Sequence, residues 1–289
     1  MQVWLLELAA LLFVGVPAAA IAAALLYGQR RWRGTTRTAI ARMRTVLSPS
    51  RPVRYDEAEI AALPAPASRY FRSVLRNGQP VIAGVSVEQE GEMRTGTTDD
   101  SWRPMVAVQA FRPLHPGFVW DARIRMARGL AVHVRDSFIA GAGSMRAEFL
   151  GLVPVLEARD TPEMAAGALQ RYLAEAVWFP TALLPSQGVV WTAIDDRSAR
   201  ATLSAGATSV SLDFRFNAEG EVASIFTKSR YRKVKNGFEL TPWAVRCSNY
   251  AERDGMRIPL EAEAEWRIDG APQPYWRGRL TSIACEYAE

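Results

Sequence analysis

The chain has 289 residues, 49% of them apolar and 22% charged, an ordinary globular composition without disordered bias and long enough for one large or two small domains with a buried core. The net charge of +5 is local: eight arginines lie between Arg30 and Arg54 with no acid among them, and the rest of the chain holds 27 basic residues against 30 acidic ones. This distribution excludes a basic surface spread over the fold and with it the case for nucleic-acid binding.

The arginines follow "LAALLFVGVPAAAIAAALLY", residues 8–27, a run without a charge. At about 1.5 Å per residue it spans roughly 30 Å, the thickness of a bilayer's hydrocarbon layer. Trp4, Tyr27 and Trp32 stand near its ends, where amphipathic rings favour the interface, and Pro17 is tolerable inside a membrane helix. Ala18–Ala20 would suit a signal peptidase, but no Lys or Arg precedes the run and Glu7 does, the reverse of a signal peptide. Residues 1–28 are therefore predicted to be an uncleaved transmembrane anchor. The positive charge on its C-terminal flank predicts that the following domain stays on the cytoplasmic side, with the periplasmic or extracellular side as the alternative.

Residues 29–62 read as a basic juxtamembrane segment and linker, with a short helix over "RTAIARMRTVL" and a break at "SPSRP". The stretch Arg30–Arg54 either sets the topology or also lies on anionic lipid headgroups, at about 1 kcal/mol per Arg.

Residues 63–289 read as one antiparallel β domain with covering helices. "LPAPASRYFRSVLRNG" predicts a helix of about ten residues with Pro66 at its start and Asn77-Gly78 as its stop. From residue 80 the period becomes two. Phe118, Trp120, Ala122, Ile124 and Met126 alternate with Val119, Asp121, Arg123 and Arg125, and Leu130, Val132, Val134 and Phe138 share one face. Strands are expected over 80–95, 104–113, 117–126, 130–139 and 143–150. A helix follows, capped by Thr161 with Pro162 and Glu163 in its first turn and ended by Pro180. A second set of strands includes a hairpin at "NAEG" and the run "PLEAEAEWRIDG", with Leu260, Ala262, Ala264, Trp266 and Ile268 inward and Glu261, Glu263, Glu265 and Arg267 outward. The expected fold is α+β, mainly β: a large curved antiparallel sheet, an incomplete barrel of about 11–12 strands covered by one or two helices, plus the N-terminal transmembrane helix.

Cys247 and Cys285 fall two strands apart, about 10 Å at roughly 4.8 Å per strand, which predicts free thiols. Glu175 sits within the most apolar part of its helix, four residues after Arg171. Either the two close the rim of a buried face as an ion pair, or Glu175 is a carboxylate facing the concave side of the sheet. Asp195-Asp196 ends the strand "VVWTAID"; adjacent strand residues point to opposite faces, so the pair reads as a turn. His115 lies in a loop and His133 on the polar face of its strand, neither at a telling spacing from a carboxylate or thiol. G-x-S-x-G, phosphate-loop and dinucleotide-binding patterns are missing, so no catalytic residue, metal or cofactor is expected. Trp102, Trp120, Trp178, Trp191, Trp243, Trp266 and Trp276 read as core packing, yet inward aromatics under a covering helix also line apolar pockets. "KSRYRKVKNG", residues 228–237, is a basic hairpin, a solvated turn or a contact for a polyanion. The candidate ligand-binding residues are Glu175, Arg171, Trp178, Trp191, Asp195, Arg230, Trp243 and Trp266.

The stretches "LPAPASRYFRSVLRNGQP", "QEGEMR", "GAGSM", "RYLAEAVWFPTALLP", "VVWTAIDD", "SRYR" and "GMRIPLEAEAEWRIDG" resemble a bacterial family of membrane-anchored proteins of unknown function. The resemblance covers nearly everything after residue 63 and implies no activity. More remotely, the order of elements is similar to the lipoprotein-carrier (Lol-type) half-barrel, in which a curved sheet wraps an apolar cavity, is closed by helices and binds acyl chains. Those carriers are periplasmic, in conflict with the orientation read from the charges. Together these readings predict a membrane-tethered domain holding a lipid or other apolar ligand in its concave face. The alternatives are an enzyme using Glu175, Asp195 and Arg230 in the same cavity, and a protein-interaction module using the outward face.

Overall fold

The computed structural model describes residues 2–45, 53–96, 98 and 101–288, with side chains from residue 15 onward. Thirteen strands carry the architecture: β1 (Ile82–Arg94), β2 (Trp102–Arg112), β3 (Gly117–Ala127), β4 (Leu130–Ile139), β5 (Ala142–Phe149), β6 (Val153–Arg159), β7 (Val189–Asp195), β8 (Ser198–Ala205), β9 (Thr208–Phe216), β10 (Val222–Val234), β11 (Gly237–Arg253), β12 (Met256–Ile268) and β13 (Ala271–Tyr287). They form one antiparallel sheet in the order β6-β5-β4-β3-β2-β1-β13-β12-β11-β10-β9-β8-β7. The β1–β13 ladder joins two meanders, and β6 and β7 are left as edges. The expected count of 11–12 was therefore too low. One strand overlooked is β6, whose side chains are exposed except for half-buried Ala158 and show no inward alternation. Its Pro154 is tolerated because the strand is an edge.

Helix α1 (Gln2–Arg44) is continuous over 43 residues and is not divided near Gly28 into a span and a second short helix. Side chains of the first part of the apolar run, residues 8–14, and the "SPSRP" linker, residues 48–52, lie outside the described residues. Among the described residues no helix is long and apolar enough to cross a membrane. The C-terminal half of α1 docks on the convex face of the sheet. Trp32 Nε1 donates to Asp121 at 2.9 Å, the Arg135 guanidinium lies 4.3 Å from the Trp32 ring, and Arg31 pairs with Glu148. Met43 packs with Val119 and Ile139. At Gly28 a Cβ would lie 2.9 Å from the Leu150 carbonyl oxygen, so glycine permits the close approach of helix and β5–β6 turn.

Helix α2 (Ala65–Val74) ends before the Asn77-Gly78 stop, because Leu75 adopts an extended conformation and is buried; Gly78, at φ +77°, makes the turn that follows. Helix α3 (Pro162–Glu175) joins the two edge strands and crosses the concave face, packing on β3, β4 and β5 from one arm and on β8, β9 and β10 from the other. Thr161 caps it as expected, Oγ1 accepting from the Met164 amide at 3.2 Å. Its first turn rests on β5 at Gly143, where a Cβ would lie 2.3 Å from the Met164 carbonyl oxygen. Beyond α3 the chain descends through 3-10 turns, and residues 176–184 are all buried.

That segment fills one end of the barrel. Phe179 packs on Phe111 at 4.6 Å between ring centroids and on Tyr172 at 5.9 Å. Nearby, Trp191 meets Phe214 at 5.2 Å and Phe71 of α2 edge-on at 6.0 Å. The two cysteines are free, Cys247 in β11 and Cys285 in β13, with β12 between them.

Candidate functional site

Helix α3 is amphipathic in an unusual sense: both of its long faces are covered by the sheet, one by packed side chains and one by a void. Leu169, Tyr172, Leu173 and Ala176 belong to the filled core. The stripe Met164, Ala168, Arg171, Glu175 and Trp178, spaced by one helical turn, instead lines a cavity of about 390 Å³. Trp120, Val134 and Met145 wall it from one arm of the sheet, and Trp243, Val245, Ala262, Ala264, Trp266 and Trp276 from the other. The exposed members of the lining, Leu156 and Lys233, put its mouth between edge strand β6 and the β10–β11 hairpin.

A polar network crosses the helix side of this cavity. Arg171 donates through Nη1 to Asp136 Oδ2 at 2.8 Å and through Nε to Glu175 Oε1 at 2.9 Å. Gln109 Nε2 donates to Glu175 Oε2 at 2.7 Å, and Trp120 Nε1 donates to Gln89 Oε1 at 2.9 Å. The Arg171 guanidinium also lies over the Trp120 ring at 4.7 Å. Burial pushes the Glu175 carboxyl above its ordinary range, and Arg171 opposes this only in part. Burial works against the Arg171 charge as well, but Glu175 and Asp136 outweigh it and raise the pKa, so the guanidinium stays charged. Of the two readings of Glu175, the ion pair with Arg171 forms, and it forms facing the concave side. Its chemistry is that of a closed network joining α3 to β2 and β4.

Arg230 is arranged differently. Its guanidinium lies 4.2 Å from the Trp243 ring and 5.9 Å from the Trp266 ring, and Trp243 Nε1 donates to Tyr275 Oη at 3.0 Å. Burial lowers its pKa, with Tyr275 and Asp136 opposing. Its Nη1 is buried without a hydrogen-bond partner, as are the indole nitrogens of Trp178 and Trp276.

Of the candidate residues, Glu175, Arg171, Trp178, Arg230, Trp243 and Trp266 line the one cavity. Trp191 does not: it is buried in the filled end, Nε1 donating to the Leu183 carbonyl at 2.9 Å. Asp195 does not either. It is exposed, its Oδ1 accepts from the Arg197 amide at 2.8 Å, and that bond holds its carboxyl below the usual range. Glu175, Asp195 and Arg230 thus do not converge on one site.

Asp136, Gln89, Gln109 and Trp276 escaped the sequence reading as site residues. The first three carried a signal. Asp136 has the parity of Val132, Val134 and Phe138, Gln89 that of Val85 and Val87, and Gln109 that of Met105 and Ala107, so each is a polar residue at an inward position.

Fold and site together define an open antiparallel β-barrel closed by an internal helix, with a partly polar, mostly apolar cavity between the two. The chain belongs to the family of unknown function DUF6920, which residues 61–285 match. No curated protein matches it. Among solved structures it is similar to a LolA superfamily protein of Nitrosomonas europaea, NE2245, at 10% identity and TM-score 0.40, over 78% of this chain and 93% of that one. It is also similar to a beta-barrel-like protein of the domain of unknown function DUF1849 from Brucella abortus, at 10% identity and TM-score 0.29, over 71% and 99% of the two chains.

Proposed function

We propose that this protein is a membrane-tethered domain that holds one lipid chain or other apolar ligand between α3 and the concave face of its sheet. The observation that carries the reading is the cavity of about 390 Å³ walled mainly by tryptophan, alanine, valine and methionine and open at one edge. Ligand pockets run from about 300 to 1,000 Å³, and the low end of that range suits a single chain better than a several-chain lipid. The tether is residues 8–27. In support, Val16, Ile21 and Leu26 are apolar and exposed on α1, surface that a bilayer would cover. Residues 29–62 then join anchor to domain, residues 63–289. Arg30, Arg33, Arg37 and Arg42 are exposed and suit anionic headgroups, and the same charges favour the cytoplasmic side.

Native mass spectrometry of the purified full chain, with lipid extraction, tests the reading. One bound chain-bearing molecule per protein is expected. A ligand-free protein that also fails to take up a brominated acyl chain, read as unquenched tryptophan emission, ends it. Alkaline extraction tests the tether: the full chain should stay with membranes, and a chain lacking residues 1–28 should be released.

A further inference from the structure

We propose, resting on the reading of the cavity as a site for an apolar chain, that the chain ends in an anionic head, a carboxylate or phosphate monoester, bound by Arg230. Three independent observations converge on it. First, every side-chain atom of the cavity lining that is buried without a partner is a donor: Arg230 Nη1, Trp178 Nε1 and Trp276 Nε1. Among the described residues no acceptor of the lining is left so. A ligand that reached these donors would have to bring acceptors.

Second, Arg230 forms no ion pair among the described residues. The two nearby carboxylates act on it only at a distance, because their bonded oxygens face Arg171 and Gln109. The guanidinium lies over the Trp243 ring at 4.2 Å, and a guanidinium without an ion pair suits a two-pronged anionic partner, as carboxylates and phosphates are. Third, the mouth carries lysines. Lys233 lines the cavity and belongs to the 228–237 hairpin, whose Lys228 and Lys235 are exposed; Arg232 of the same hairpin also lines it but is paired with Glu239 at 3.0 Å, and Glu163 is an acid of the lining. A positive rim draws an anionic amphiphile from solution or from an anionic surface toward the opening. The apolar walls then take its tail, and Arg230 its head.

The test uses the full chain kept soluble in amphipol, with hexadecanoate, hexadecyl phosphate, hexadecanol and inorganic phosphate as probes. The two anionic amphiphiles should bind about ten- to hundred-fold tighter than hexadecanol. Arg230→Met should remove that preference, so that hexadecanoate and hexadecanol bind alike, and Arg230→Lys should restore part of it. Equal binding of hexadecanol and hexadecanoate to the unaltered chain overturns the head-group assignment and leaves the apolar cavity standing. Inorganic phosphate binding as tightly as hexadecyl phosphate also overturns it, since the site would then take a free anion. Failure of every chain-bearing probe to bind strikes the cavity reading itself.

Discussion

The barrel interior has two ends built by the same sheet, and they differ in kind. Around Phe179 the aromatic rings interlock, α2 and residues 176–184 close the space, and the Trp191 indole is bonded to a backbone carbonyl. Around Trp266 the rings line a void, the walls are alanine and valine, and three donors wait without acceptors. Strand alternation is equally regular in both places. What separates them is which face of α3 the strand meets: the Tyr172 face fills its side, and the Arg171 face does not. A curved sheet thus specifies an inside, while the covering segment decides whether that inside is core or site.

The largest test of this contrast is Phe179→Ala. The ring is fully buried against Phe111 and Tyr172, and its loss should cost about 3–5 kcal/mol in urea denaturation. Trp266→Ala, which removes a half-buried ring facing the void, should cost less than half as much; equal losses would mean that the two ends are one core. The pH dependence sharpens the site end. The folded pKa of Glu175 is raised above the ordinary 4.5, so the folded state holds this proton more tightly than the unfolded chain does. The contribution is fully present below the unfolded value and is lost as the pH rises through the folded one. Glu175→Gln should therefore flatten the stability curve above pH about 4.5, and a variant with the parent's slope would count against the assignment. The smallest effect is expected outside the barrel. Gly28→Leu should lift α1 from the β5–β6 turn, at about 1 kcal/mol or less in global stability. Amide exchange should quicken over residues 31–44 and remain unchanged in β1–β13.

Much of this was legible in the sequence. Period-two runs mark an inside and an outside without reference to any other part of the chain, so the first five strands fall close to their expected positions. Thr161 and Pro162 start α3 by a local capping rule. The inward parity of Asp136 was equally local and would have led to the partner of Arg171. Arg230 was harder. Counting by twos from Ile225 and Thr227 turns it outward, but an extra residue between Thr227 and Arg230 resets the alternation and pairs Arg230 with Thr241 on the inner face. Strand β6 was missed because an exposed edge has no buried partner to impose alternation.

By itself, then, the sequence determined the sheet, its polarity, the helix that follows β6 and the apolar N-terminal run, because each depends on residues a few positions apart. Only the tertiary structure decided that Arg171 closes on Asp136, that Arg230 is left open, that Trp191 is core while Trp266 is wall, and that α1 lies on the convex face. Those outcomes depend on where α3 crosses the sheet and how strands bulge. They are contacts between distant segments, chosen by packing volume and hydrogen-bond completion rather than by any local pattern.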